Sequence, residues 1–458
     1  MPGTVLGLRN RFTSVVAPAT LGLSMAMPAD AVPAVTVVDT GQAQCCSSIA
    51  PEMPPNTYYG ATIRRDDDLS VMAKPFVAEP EDPPGSVAEM ERLIAEAESA
   101  RGPVAAELAV PLRGLAAAHM ANENYGAAVE ALRRGIHVVR MNDGLNSPGQ
   151  VELLEQLIGA HIRRGDYTSA DAQQTYLYRI LSYRRGHDAP ELREATLRYA
   201  DWMRGAYLGD LGRERFPRLV GLHDLYTDAI EEIEDSLGEN SRELLPYLEG
   251  RAQLSYLISV YPGEQRAGVQ IEARQMGDFD IAGEAQLRFW RLEQHNFRYG
   301  KQALQRRVEI YNNDPQSTPA EKAEALVDLA DWFQWHRQYA RAINVYEEAW
   351  AVAQDDGDAR RWLEHTFVEP LELPRATVFS PGVIPLGTIN NAEVAMRFDV
   401  SRHGEAKDIT ILSEETRETQ SGITRAYHYL RNIRFRPKVS EGSVVRAEDI
   451  ERSYRVRY

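Results

Sequence analysis

Two spacings of apolar residues divide the chain into a long first part and a short last part. Between residue 86 and about residue 365, apolar residues recur every three or four positions, which is the spacing of helices with one buried face. Between residues 390 and 458, apolar and polar residues alternate, which is the spacing of half-buried strands. The pattern predicts a mainly α protein that ends in a small α+β domain.

The helical part contains a repeat with a period of 42 residues. Five positions recur at this step with the same or a similar residue: Leu112 and Leu154, Leu115 and Leu157, Asn124 and Asp166, Ala128 and Ala170, and Pro148 and Pro190. Each unit predicts two antiparallel helices with a small residue at their crossing. Because one hairpin cannot bury its apolar face alone, we expect six or seven hairpins to stack into an α-solenoid over residues 86–365.

One set of residues in this part is similar to the tetratricopeptide signature: Leu329, Ala330, Phe333, Ala342, Tyr346 and Ala349. The longer step resembles the variant with extended helices of kinesin-light-chain-like arrays. The resemblance implies a groove that binds peptides or protein segments and is lined by polar residues of the first helix of each hairpin.

Four polar residues occupy these groove positions and are candidate partner-binding residues: Arg113, Glu155, Asp331 and Gln334. An ordinary solvated helix face is the alternative interpretation of each. Trp335 lies off the apolar stripe of its helix and is a fifth candidate. The acidic character of the array favours basic or polar partners.

The last part predicts the order strand, strand, helix, strand. Gly404 follows the first strand and suits a turn that needs a positive φ. Residues 409–412 supply the second strand, residues 423–430 supply a helix with one apolar face, and the closing strand runs from Ile450 to Tyr458. This order predicts a small sheet with a helix on one face.

The ββαβ order over residues 390–458 is similar to the C-terminal domain of the TonB family. The matching residues are Phe398, Asp399, Val400, Gly404, the segment 409–412, Ile433, the turn Arg434-Phe435-Arg436-Pro437 and Gly442. In that family the domain pairs with an extended receptor segment, so the resemblance implies an exposed edge strand that accepts a partner's strand or a second copy of this chain. The closing strand carries Arg455 and Arg457, which are the remaining candidate partner-binding residues.

The first 31 residues have the order of a signal peptide. Basic Arg9 and Arg11 precede an apolar stretch and small-residue sites that end at Ala26 and Ala31. A disordered apolar N-terminus is the alternative. The signal-peptide interpretation predicts a periplasmic protein that is soluble or peripherally associated with the envelope.

Two proline-rich segments separate the predicted domains. Residues 32–85 combine prolines with small and acidic residues and predict a flexible leader. Four prolines between Pro370 and Pro385 end the helical part and predict a connector over residues 366–389.

The net charge and the absence of catalytic motifs argue against several classes of function. The chain has 51 Lys and Arg against 67 Asp and Glu, and its net charge of -16 disfavours nucleic acid as a partner. The two cysteines, Cys45 and Cys46, are adjacent, which does not fit the ligand spacing of a zinc site. A Gly-rich phosphate loop, a His-Glu-x-x-His pair and a Gly-x-Ser-x-Gly elbow are absent from the sequence. We therefore predict no catalytic, cofactor or metal site.

These patterns predict a non-catalytic scaffold of the Gram-negative periplasm. One protein partner would bind in the repeat groove and another at the TonB-like domain, with indirect association with the outer membrane. The alternative is a divergent TonB-type energy transducer or adaptor for outer-membrane receptors. The transducers of that family carry a histidine in their N-terminal membrane helix, whereas the first of the ten histidines here is His119.

Overall fold

The computed structural model describes residues 63–65, 85–184, 190–209, 211, 216–261, 281–379, 391–414 and 420–457. The predicted signal peptide, both cysteines and most of the predicted leader lie outside these residues. Among the described residues, no helix combines the length and the apolar character needed to cross a membrane.

Twelve helices lie between residues 87 and 366 in the described part of the chain. They are α1 (Val87–Arg101), α2 (Ala109–Ala121), α3 (Tyr125–Asp143), α4 (Val151–Arg163), α5 (Tyr167–Arg184), α6 (Pro190–Leu208), α7 (Phe216–Leu237), α8 (Leu245–Ser259), α9 (Ile281–Asn313), α10 (Pro319–Trp335), α11 (Tyr339–Ala353) and α12 (Gly357–Thr366). Consecutive helices pack as five hairpins, α2/α3 to α10/α11, with α1 before them and α12 after them. The described residues form five of the six or seven hairpins expected, and the 33-residue α9 is longer than the helices of the regular repeat.

The repeat is confirmed where its period is regular. Helices α2 and α4 begin 42 residues apart, as do α3 and α5. Asn124 and Asp166 cap the second helix of their hairpins, each accepting a hydrogen bond from the backbone N–H three residues later, at 3.4 and 3.1 Å. The equivalent residues Ala128, Ala170 and Ala342 are completely buried. A larger side chain there would separate the crossing helices.

In the C-terminal residues that the structure describes there are seven strands and one α-helix, and an eighth strand comes from the region of the predicted leader. The elements are β1 (Ile63–Arg65), β2 (Leu371–Leu373), β3 (Asn391–Val400), β4 (Ala406–Ile411), α13 (Gln420–Asn432), β5 (Arg434–Arg436), β6 (Lys438–Ser440), β7 (Ser443–Val445) and β8 (Ala447–Arg457). The main sheet has the order β1-β8-β3-β4, and β2/β5 and β6/β7 form two antiparallel pairs. The predicted ββαβ order corresponds to β3, β4, α13 and β8.

The segments predicted as a flexible leader and as a connector each supply a strand. β1 pairs antiparallel with β8, with Arg64 opposite Arg455. β2, within the predicted connector, pairs antiparallel with β5. Proline content alone did not reveal these strands, because three paired residues are too few to leave a period in the sequence.

The cores of the two parts are joined at their boundary. The sheet and α13 enclose a core that includes Phe398, Phe435 and Tyr454, each at most 1 % exposed. The β6/β7 pair instead inserts Val439 and Val444 into the core of the later hairpins. The helical repeat therefore continues without a gap into part of the C-terminal domain.

Candidate partner-binding surfaces

The first helices of successive hairpins contact each other through polar side chains. We call the surface formed by α2, α4, α6, α8 and α10 the first-helix face. The polar contacts that cross it include those of Arg113 with Glu152, Glu155 with Arg198, and Arg204 with Gln253. The side chains of Arg113 and Arg198 are 41 % and 43 % exposed, so this part of the face presents accessible charge.

Glu155 is the most buried acid among these contacts. Its carboxylate lies 3.8 Å from the Arg198 guanidinium. Burial raises the pKa of Glu155, and the positive charge of Arg198 only partly opposes that shift. The first-helix face thus holds a half-buried carboxylate beside an exposed cation.

Asp331 occupies the same face on α10, where it binds the C-terminal domain. Its side chain is 3 % exposed. Its Oδ1 accepts a hydrogen bond from Arg436 Nε at 2.9 Å and its Oδ2 accepts one from Arg436 Nη2 at 2.5 Å. The Tyr346 hydroxyl donates to Oδ1 at 2.8 Å. This bidentate ion pair between α10 and β5 is buried on both sides.

Gln334, one turn further along α10, also contacts the C-terminal domain. Its Nε2 donates to the His403 carbonyl oxygen at 2.6 Å. Gly404 follows with φ of 66°, and a Cβ there would lie 2.0 Å from the Phe435 carbonyl oxygen and 2.1 Å from Gln334 Nε2. The predicted positive φ is confirmed. Only glycine fits this position, because a side chain would also collide with β5 and with Gln334 of α10.

A chain of charges continues from this ion pair into the predicted connector. Arg307 Nη1 lies 2.7 Å from Asp328 Oδ2, and Arg375 of the connector pairs with the other oxygen of Asp328. Arg375 Nε lies 3.9 Å from Asp331 Oδ2. A cavity of about 60 Å³ lies beside these groups, which is room for a few water molecules. The charges join the repeat, the connector and β5.

Trp335 links two first helices. Its indole Nε1 donates to Ser259 Oγ of α8 at 2.9 Å, and its ring meets Tyr256 edge-on with centroids 6.2 Å apart. The side chain is half-buried. Trp335 therefore packs between hairpins while keeping part of its surface accessible.

The two candidates on the closing strand lie at the same end of β8. The exposed residue Arg455 is opposite Glu393 on β3 and opposite Arg64 on β1. Arg457 is the last residue of β8 and is opposite Asn391. The structure thus divides the candidates among the early part of the first-helix face, the boundary with the C-terminal domain, and the sheet.

Sequence reasoning missed the buried charges that hold the C-terminal domain in place. Glu372 of β2 accepts hydrogen bonds from the Tyr454 hydroxyl at 2.7 Å, the Tyr429 hydroxyl at 2.9 Å and Arg452 Nη1 at 3.1 Å. A signal was present: Glu372 stands between two leucines of a proline-rich segment. A carboxylate in such a position needs a buried partner.

A similar signal marked α10. Asp328 and Asp331 interrupt a run of apolar residues in which every residue from 325 to 334 is buried. The matching signal on β5 was the sequence Arg434-Phe435-Arg436, in which all three residues are buried. Acids and guanidinium groups buried on separate elements indicate a buried ion pair between them.

In the described ranges, no group of three or more His, Cys, Asp or Glu side chains could hold a metal ion. The polar groups on the first-helix face instead form ion pairs and amide hydrogen bonds. Such groups are suited to binding polypeptide.

Comparison with known proteins finds likeness at the level of structure. No family model matches the chain. No curated protein matches it in sequence. Two of the similar solved structures are of a kinesin light chain from Podosopora anserina with nearly identical TPR-like repeats. Each is 14 % identical to this chain with a TM-score of 0.32. One covers 53 % of this chain and 92 % of its own length, and the other covers 54 % and 95 %. BtubC (BKLC) from P. vanneervenii is also 14 % identical with a TM-score of 0.32, over 61 % of this chain and 88 % of its own.

Proposed function

We propose that this protein is a non-catalytic scaffold for protein–protein interaction. Its first-helix face would bind a protein or peptide partner between α2 and α8, and the C-terminal sheet would bind a second partner. The observation that carries the proposal is at the end of the same face. There Asp331 and Gln334 already bind a folded protein surface, the C-terminal domain, through a bidentate ion pair and an amide hydrogen bond.

The earlier part of the first-helix face carries the same kinds of group in accessible form. Arg113 and Arg198 are partly exposed, and their acidic neighbours Glu152 and Glu155 lie on the adjacent helix. A partner with a polar or charged extended segment could exchange the exposed Arg113–Glu152 contact for its own at little cost, because exposed ion pairs contribute only about 0–1 kcal/mol. The face would therefore select partners by charge pattern.

Site-specific photocrosslinking in native cells tests this proposal. A photoreactive amino acid at position 198 should capture a partner, whereas the same residue at the exposed position 130 on α3 should not. The captured protein, once purified, should bind the intact chain and lose affinity for the Arg198→Glu variant, while Glu130→Arg binds normally. Equal capture at both positions, or binding unaffected by Arg198→Glu, would contradict a site on the first-helix face.

We further propose that the C-terminal domain is TonB-like and that the protein acts in the periplasm of a Gram-negative envelope, in contact with the outer membrane through its partners. The order of basic, apolar and small residues in the first 31 positions supports export. Burial of Phe435 in the Arg-Phe-Arg-Pro turn fits the TonB resemblance. The intact mass of the protein from fractionated cells tests the location: a periplasmic species that starts after Ala26 or Ala31 is expected, and an uncleaved cytoplasmic species would refute it.

A further inference from the structure

A cavity of about 390 Å³ lies between α7, α8 and α9. Its size falls in the range of about 300–1,000 Å³ that sites for small organic ligands occupy. Ile230, Leu248 and Ala303 supply its apolar surface, and its other lining side chains are polar or charged. None of the candidate residues of the first-helix face lines it, so it is a separate feature of the repeat.

Among the described residues, Arg251 of α8 lines this cavity and forms no ion pair. Its Nε is buried and has no hydrogen-bond partner in the same part of the chain. Its guanidinium lies 5.5 Å from the centroid of the Tyr299 ring. Burial lowers the pKa of Arg251, and Tyr299 and the charges of Glu231 and Glu234 only partly oppose that shift. Guanidinium groups bind carboxylates through two parallel hydrogen bonds, so Arg251 suits a ligand that carries a carboxylate.

The rest of the charged lining has more carboxylates than cations. Glu234 and Glu309 share the guanidinium of Arg306, each at 3.4 Å, and Glu239 lies 3.3 Å from it. These distances exceed the about 2.7–2.9 Å of a strong charged hydrogen bond. Glu231 is exposed and forms no ion pair with any residue that the structure describes. Three glutamates and two arginines line the cavity, so negative charge is left over on the side opposite to Arg251's role.

We propose that this cavity binds a basic amino acid, with the carboxylate of the ligand at Arg251 and its side-chain cation at Glu231 and the glutamates around Arg306. Such a ligand gives each unpaired charge of the lining a partner of opposite sign. Two sources share this chemistry: free arginine or lysine, and the same residues at the C-terminus of a polypeptide. The inference goes beyond the proposed scaffold function, because it does not involve the first-helix face.

Isothermal titration calorimetry of the full-length protein with L-arginine tests the site. The wild type should bind at millimolar concentration or below. Arg251→Gln and Glu231→Gln should each weaken binding roughly tenfold or more, because each removes a charged contact. Arg291→Gln and Glu293→Gln are the matched controls, since they make the same changes at exposed positions of α9 outside the cavity and should leave binding unchanged.

Analogues of arginine test each contact without changing the protein. Agmatine, which lacks the carboxylate, should bind the wild type more weakly than L-arginine and should lose nothing further in Arg251→Gln. Citrulline, which has a neutral side chain, should also bind more weakly and should be insensitive to Glu231→Gln. Nα-acetyl-L-arginine distinguishes the two sources. Binding as tight as that of L-arginine indicates the C-terminal residue of a polypeptide, and weaker binding indicates the free amino acid.

Two results would overturn the proposal. The first is that neither L-arginine nor Nα-acetyl-L-arginine binds the folded wild type at millimolar concentration. The second is binding that agmatine matches and that the folded variants Arg251→Gln and Glu231→Gln leave unchanged, which would place the ligand elsewhere. Circular dichroism confirms that each variant is folded, and the comparison with agmatine needs no variant. Neither result concerns Arg198, so the scaffold proposal stands or fails on its own crosslinking experiment.

Discussion

Replacing Asp331 with asparagine tests whether a buried charge holds the C-terminal domain on the repeat. The substitution keeps the size of the side chain but removes its charge. Arg436, whose side chain is 4 % exposed, would then keep its charge without a full partner. Breaking a buried ion pair by removing one partner costs about 3–5 kcal/mol. We expect a loss of unfolding free energy in this range.

Urea denaturation of the full chain, followed by tryptophan fluorescence, measures the loss. Trp332 is fully buried one position after Asp331, so it contributes to the change in emission of the chain's six tryptophans on unfolding. Glu364→Gln is the control, because Glu364 forms an exposed pair with Arg360 at 3.0 Å. Pairs of that kind contribute about 0.3–0.5 kcal/mol.

A double variant separates the ion pair from general damage to the core. Asp331→Leu combined with Arg436→Met removes both charges and keeps apolar volume. Because such replacements are often neutral or stabilising, the double variant should recover most of the stability lost by Asp331→Asn. If Asp331→Asn costs less than about 1 kcal/mol, or if the double variant is no more stable than the single one, the reasoning from buried charge is wrong.

Three further changes have defined expectations, each checked by urea or thermal denaturation. Gly404→Ala should lower the free energy of unfolding by about 2–4 kcal/mol, because it combines a positive φ with a backbone clash. Gly144→Ala, at φ of 94° with no neighbour within 4 Å, should lose only the part that comes from the strained φ. Phe435→Ala should cost about 3–5 kcal/mol by emptying a site with no solvent exposure, and unchanged stability would mean that the turn is misplaced. Burial lowers the pKa of His336 to about 4, so the folded state holds the imidazole neutral. Below about pH 6.5 the unfolded chain binds a proton that the folded chain does not. The free energy of unfolding should therefore be unaffected above pH 6.5 and should fall by about 3 kcal/mol as the pH drops from 6.5 toward 4. His336→Gln should remove that part of the acid sensitivity, and an unchanged pH profile would contradict it.

The repeat could be predicted because its evidence is local. The helical period, the caps at Asn124 and Asp166 and the small residue at Ala128 each act within one hairpin, so they leave a pattern that a single sequence displays. The strand order of the C-terminal part was also local. Alternation along β3 and β8 and the apolar face of α13 needed no knowledge of distant residues.

Long-range pairing left weaker signals. The partner of Asp331 is Arg436, 105 residues later, and neither residue alone indicates which charge it meets. The helix α13 shows a smaller error of the same origin. The helical spacing of Ile423, Ala426 and Leu430 predicts Tyr427 on the apolar face. The buried tyrosine is instead Tyr429, because its hydroxyl reaches Glu372. A polar contact from another segment outweighed the period of the helix.

The boundary between the two parts has a consequence for the scaffold. If the first-helix face bound a partner along its whole length, Asp331 and Gln334 would have to release the C-terminal domain and leave Arg436 unpaired. That release would cost about 3–5 kcal/mol, which weakens binding by more than a hundredfold. A partner therefore gains affinity by stopping short of α10. The C-terminal sheet then keeps a fixed position relative to the helices that remain accessible, so two partners bound to this chain would be held at a defined distance and orientation.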